Sequence, residues 1–176
     1  MFKETNDQSP KLEQIATNLN YLLASKSVKS LAVISDFKGE GKSTFISAIS
    51  PIMNSLYAKR VLIIDCTDSK DNLDKLLGVD LKDSSITKST FKGVDYISTN
   101  GNSSVIGLSD SRDFYDLILI NTDHNSCDPG VLPSIKIDGA ILIKSKKSAD
   151  LKEETVGEYY GDLDIPVMGV LFNEAR

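Results

Sequence analysis

The chain has 176 residues, 40% of them apolar and 26% charged, with 20 Lys and Arg against 25 Asp and Glu for a net charge of -5. That length suits one domain with a buried core, and ordinary hydrophobicity arranged in blocks excludes disorder as the main state. No apolar run approaches the ~18–20 residues that span a bilayer, and the acidic balance lacks the basic stripe that non-specific nucleic-acid binding needs, so neither direct membrane insertion nor a nucleic-acid partner is expected.

The first ten residues carry no apolar h-region of a secretory signal. A helical pattern over Pro10–Ser25 puts Leu12, Ile15, Leu19, Leu22 and Leu23 on one face, which should lie against a sheet. Strands are predicted at Leu31–Ser35, Val61–Asp65, Tyr96–Thr99, Leu117–Asn121, Ala140–Lys144 and Val167–Asn173. Five of them are runs of Val, Ile and Leu without polar alternation, as strands covered on both faces require. Helical pattern recurs at Ser43–Tyr57, where Pro51 is expected to introduce a kink, at Asp71–Leu77 and at Asp150–Tyr160. The stretch Lys82–Ser111, rich in Ser, Thr, Asn and Gly, reads as surface. Cys66 and Cys127 make neither a disulfide framework nor a metal-type spacing, which makes a reduced cytoplasm the default location.

Alternating strands and helices predict one α/β domain over residues 1–176, a mostly parallel sheet of about six strands with helices on both faces, with residues 1–27 as a helical segment packed on it.

The strongest chemical signal is Asp36-Phe37-Lys38-Gly39-Glu40-Gly41-Lys42-Ser43-Thr44, between the first apolar strand and a helix. Glycines in such a loop let consecutive amides face phosphate oxygens, the helix N-terminus adds positive potential, a lysine reaches the β/γ-phosphates and a hydroxyl ligates Mg²⁺. Lys42 and Ser43 match the last two roles. The first glycine of G-x-x-x-x-G-K-[ST] is replaced by Asp36.

In these segments the sequence resembles the bacterial tyrosine kinases of capsule and exopolysaccharide synthesis, autokinases related to the MinD/ParA-type P-loop ATPases. The resemblance runs through Thr17-Asn18-Leu19, Val28–Leu31, Phe37–Thr44, Val61–Asp65, Tyr115–Thr122, Asp138–Ile143 and Val167–Asn173. It implies ATP or ADP at Lys38, Gly39, Glu40, Gly41, Lys42, Ser43 and Thr44, with Asn173 at the adenine position. It further implies Mg²⁺ at Ser43, Asp65 and Asn121, and catalytic roles for Lys42 and Asp65.

The departures point the other way. The family's Asp-x-Asp-x-Arg is here Asp65-Cys66-Thr67-Asp68-Ser69, and Asn121 stands where the resemblance calls for the second motif's aspartate, followed by Thr122-Asp123-His124. The MinD/ParA signature lysine, expected at Phe37, is absent. The ring-forming Glu-x-x-Arg-x-x-Arg aligns with Pro10, Glu13 and Ala16, so a homo-oligomer by that route is not expected. No tyrosine follows Asn173.

Asp68 and Asp123 read as surface carboxylates, His124 as a loop residue without an evident nucleophile, and Cys66 as packing. Tyr159 and Tyr160 read as packing aromatics rather than phosphate acceptors. Lys144, Lys146 and Lys147 form a solvated strand end, with docking on a partner's acidic segment as the alternative.

The sequence reading is therefore a cytoplasmic nucleotide-binding protein, kinase-like with reduced or absent activity, meeting a membrane-anchored polysaccharide co-polymerase or activator as a separate chain. An active autokinase, a MinD/ParA-type ATPase and a nucleotide-free scaffold are the alternatives.

Overall fold

The computed structural model describes residues 9–67, 73–80, 86–99, 111–122, 136–145, 160–161 and 163–174. In chain order these hold α1 (Ser9–Lys26), β1 (Ser30–Ser35), α2 (Lys42–Tyr57), β2 (Val61–Asp65), α3 (Leu73–Leu76), β3 (Thr87–Lys88), β4 (Val94–Ser98), β5 (Leu117–Asn121), β6 (Gly139–Ser145) and β7 (Val167–Asn173). The strands form one sheet in the order β3-β4-β2-β5-β1-β6-β7. All pairs are parallel except β3 with β4. The sheet thus has seven strands where about six were expected. The addition is the two-residue β3, too short to announce itself as an apolar run.

Strands β1, β2 and β5 are buried at every position, because each has a neighbour on both sides and side chains covered on both faces. On one face Leu31, Val33, Val61, Ile63, Leu117, Leu119, Ile141 and Ile143 pack beneath Phe45, Ile46, Ile49 and Met53 of α2. On the other, Leu62, Ile64, Ile118 and Ile120 form one cluster and Ala32, Ile34, Ala140, Leu142 and Tyr160 another. Burial of each large aliphatic side chain is worth about 1.5–3 kcal/mol, so these clusters carry most of the stabilisation.

Strand β7 departs from the expectation of cover on both faces. It is an edge strand, and Val167, Val170 and Phe172 are exposed.

The first helix also differs in its partner. Ala16, Leu19 and Leu23 join the core, but the main neighbour of α1 is α2 rather than the sheet. Helix α2 already occupies the central part of that face, so α1 packs along its flank, where Thr17 Oγ1 meets the Tyr57 hydroxyl at 2.8 Å. Pro51 lies inside α2 without ending it. The helix stops instead at Ala58, which adopts a left-handed conformation (φ 52°) and donates its N–H to Asn54 O. The predicted helix over Asp150–Tyr160 lies outside the described residues up to Tyr160, as do Asp71 and Asn72 of the preceding one.

Candidate nucleotide site

The apolar runs end in polar residues at their carboxyl ends: Ser35, Asp65, Ser98, Asn121, Ser145 and Asn173 close β1, β2, β4, β5, β6 and β7. Register brings several of them side by side, with Asp65 opposite both Ser98 and Asn121, and Ser145 opposite Asn173. Because side chains alternate along a strand, Asp65 and Asn121 continue the face lined by Ile63 and Leu119, beneath α2. A ligand crevice at the carboxyl ends of parallel strands is the general outcome of this architecture.

The loop between β1 and α2 supplies the phosphate geometry. Gly39 and Gly41 have φ of 83° and 103°, a region that residues with a Cβ adopt only under strain. Helix α2 begins at Lys42 with no side-chain cap, so the amides of its first turn are the donors that a helix leaves open. A Cβ at Gly41 would overlap the Asn173 amide, which donates to Glu40 O at 2.9 Å. The Glu40 carboxylate is buried and accepts from Phe37 N (3.1 Å) and from Ser145 N (2.9 Å), bracing the loop against β6. Lys42 is 7% exposed, and its ammonium donates to Ser35 Oγ at 2.6 Å. Lys38, Gly39 and Thr44 are exposed, and Ser43 is half-buried.

Beside this loop Asp65 is 6% exposed and accepts four hydrogen bonds. Its Oδ1 receives Thr67 N (3.1 Å), Thr67 Oγ1 (2.7 Å) and Asn121 Nδ2 (3.1 Å), and its Oδ2 receives the Tyr96 hydroxyl (2.9 Å). Burial pushes the Asp65 carboxyl above its ordinary range, and the hydrogen bonds from Thr67, Tyr96 and Asn121 offset only part of that. Burial and the facing Asp65 carboxylate also push the Tyr96 phenol up, so it stays a donor. Asn121 is fully buried. Its Nδ2 also lies 3.5 Å from Ser43 Oγ, while its Oδ1 has no hydrogen-bond partner among the described residues. The two positions where the resemblance expects carboxylates, Thr67 and Asn121, hold neutral donors, and both donate to Asp65.

Lys42, Ser43, Asp65, Asn121 and Asn173 lie at one end of the sheet, where Asn121 joins Asp65 to Ser43 and Asn173 is tied to the loop at Glu40 O. Sequence reasoning missed Ser35, Thr67 and Tyr96. The polar end of each apolar run was the available signal for Ser35, whereas nothing local pointed to Tyr96. Lys144 is neither a solvated strand end nor free for an acidic partner: its ammonium pairs with Asp36 at 3.1 Å, both side chains being largely buried. Tyr160 is fully buried against Ile34 and Leu142, which removes it as a phosphate acceptor. Cys66 packs against the Leu62 cluster. Asp68, Asp123, His124, Cys127, Lys146, Lys147 and Tyr159 lie outside the described residues.

Fold and loop together define an α/β P-loop NTPase architecture. No protein-family profile matches the sequence, and no curated relative matches it. Among solved structures, the kinase domain of the Escherichia coli tyrosine kinase ETK is similar, with a TM-score of 0.67 and 16% identity over 93% of this chain and 74% of that one. The chimerical protein CapA2B2 gives a TM-score of 0.77 with 16% identity, covering 98% of this chain and 87% of that one. The septum site-determining protein MinD of Pyrococcus horikoshii, complexed with Mg-ADP, gives 0.68 with 19% identity over 82% and 70%. Among the described residues no helix is long and apolar enough to cross a membrane.

Proposed function

We propose that this chain binds ATP or ADP at the loop Lys38–Thr44 and serves as a kinase-like regulatory protein of capsule or exopolysaccharide assembly, with weak or no phosphoryl transfer of its own. The observation that carries the reading is the pairing of a positive-φ glycine loop and a buried Lys42 with the Asp65 carboxylate, already engaged by neutral donors. The loop meets the needs of phosphate binding. Phosphoryl transfer asks for more, namely concentrated charge neutralisation and a group to orient or deprotonate the acceptor. In this reading Lys42 reaches the phosphates, Asn173 braces the loop near the base, and Asp65 positions Asn121 rather than acting as a base. The likeness to ETK supports the kinase-like part. The cytoplasmic location and a membrane-anchored activator or co-polymerase as partner follow from the sequence resemblance. An ATPase of the MinD kind is the second reading, favoured by the likeness to that protein.

Calorimetric titration of ATP and ADP into the intact chain and into Lys42→Met tests this. Saturable binding is expected, weakened about tenfold or more by Lys42→Met, with no phosphotyrosine formed on added ATP. Absence of binding leaves only a scaffold, and phosphotyrosine lost in Lys42→Met makes the chain an active kinase.

A further inference from the structure

A nucleotide site of this architecture raises the expectation of Mg²⁺, and the donor set beside Ser43 does not fit that ion. Mg²⁺ takes hard oxygen ligands in near-octahedral geometry, commonly one or two carboxylates together with substrate phosphates. Among the described residues the carboxylate of this cluster is Asp65, and each oxygen of an ionised carboxylate offers about two lone-pair directions. Oδ1, the oxygen on the Asn121 side, is fully taken by three donors from Thr67 and Asn121, and Oδ2 accepts one from Tyr96.

The group facing Ser43 is itself a donor. Asn121 Nδ2 lies 3.5 Å from Ser43 Oγ and 3.1 Å from Asp65 Oδ1, so its two N–H bonds are directed at the two oxygens between which it sits. Those hydrogens carry partial positive charge and oppose a cation in the same space. Asn121 is fully buried at the end of β5, its backbone is fixed by the bond from Cys66 N at 2.9 Å, and its side-chain amide is held by the bond to Asp65. Its Oδ1, buried and without a partner among the described residues, is a neutral acceptor that brings no negative charge to the space beside Ser43. Among the described residues no three His, Cys, Asp or Glu side chains converge.

We propose that this chain holds a nucleoside di- or triphosphate without a divalent cation, with the Asn121 amide occupying the space between Ser43 and Asp65. The phosphate charge is met by Lys42 and the amides of the loop and of the first turn of α2. The inference rests on the nucleotide reading of the P-loop and narrows it: Asn121 selects free nucleotide over its magnesium chelate. A nucleotide held this way is a ligand rather than a phosphoryl donor, because the ion that bridges and neutralises the reacting phosphates is not recruited.

The test is calorimetric titration of ADP into the intact chain, once in EDTA and once in excess MgCl₂, repeated on Asn121→Asp. For the unaltered chain the dissociation constant in excess MgCl₂ is expected to be no lower than in EDTA, and higher to the extent that Mg²⁺ withdraws free ADP. Asn121→Asp puts a second carboxylate beside Asp65 and is expected to make Mg²⁺ improve ADP affinity by about tenfold or more. Magnesium-dependent binding by the unaltered chain overturns the inference and leaves the nucleotide reading standing. Absence of binding in both buffers overturns the nucleotide reading and the inference with it. A folded Asn121→Asp chain that stays indifferent to Mg²⁺ removes Asn121 from the role assigned to it. Should that variant fail to fold, the comparison of buffers on the unaltered chain decides alone.

Discussion

The two ends of the sheet each hold an aspartate among hydrogen-bond donors, buried Asp65 at one and half-buried Asp138 at the other, and they treat its charge in opposite ways. At the amino end Asp138 accepts from Lys29 N, Ser30 N and Ser30 Oγ, and the Arg112 guanidinium grips both its oxygens at 3.1 and 2.8 Å. Arg112 also donates to Ser30 Oγ and Lys136 O, so one cation ties together the starts of β1 and β6. Burial would raise the Asp138 carboxyl, but the amides of Lys29 and Ser30 and the charge of Arg112 outweigh it and hold the carboxyl below its ordinary value. At the carboxyl end the hydrogen bonds to Asp65 all come from neutral groups, and burial wins.

The difference lies in what each network is for. A carboxylate bound to a guanidinium locks a junction, whereas one held by neutral donors keeps part of its desolvation cost. The amino end is a clamp, and the carboxyl end holds the candidate site.

The largest expected effect comes from breaking the clamp. Asp138→Ala leaves Arg112 partly buried without its anion and should cost about 3 kcal/mol in urea denaturation at neutral pH. The sign with pH follows from the lowered carboxyl: its stabilisation is complete above the ordinary carboxylate value and is lost as pH falls through the depressed one. The unaltered chain should therefore lose stability in that acid window, and the difference between it and the variant should shrink there. An unchanged difference on acidification would remove Asp138 from the linkage.

Gly41→Ala comes next. It forces a Cβ into a φ of 103° and against Asn173, and should cost about 1–3 kcal/mol, read as a lower denaturation midpoint. The same substitution should abolish ADP binding, because the displaced amides belong to the cradle. An alanine chain that melts normally and binds ADP would show that the loop conformation matters to neither property.

The smallest effect has the opposite sign. A carboxyl raised by burial contributes most when protonated, and its contribution is lost as pH rises through the raised value. Asp65→Asn should therefore stabilise the chain at neutral pH, by about 1 kcal/mol or a melting rise of about 2–4 °C, and the gain should vanish in acid. Asparagine still accepts from Thr67 and Asn121, and the Tyr96 hydroxyl can turn to accept. A lower melting temperature at neutral pH would mean that the four hydrogen bonds outweigh burial.

Much of this architecture was legible before any coordinates. Continuous aliphatic runs marked β1, β2, β5 and β6 because only strands covered on both faces need no polar alternation, and Gly39-Glu40-Gly41-Lys42-Ser43 between strand and helix marked the phosphate loop. Motif position points to Lys42, Ser43, Asp65, Asn121 and Asn173, and all five lie at the same end of the sheet. Less legible were contacts whose partners are distant in sequence and neutral in chemistry. Tyr96 reads as an ordinary strand aromatic until the β2–β4 register brings its hydroxyl to Asp65. Lys144 reads as a solvated strand end until Asp36 is found beneath it.

By itself, then, the amino-acid order determined the elements and the phosphate loop, since hydrophobic period and the backbone freedom of glycine act over a few neighbouring residues. Only the tertiary structure decided what surrounds Asp65. Strand order and register set which side chains share its small buried volume. Among the described residues that company is three neutral donors, Thr67, Tyr96 and Asn121, and it sets the carboxyl's charge, its hydrogen bonds and the chemistry left open to it.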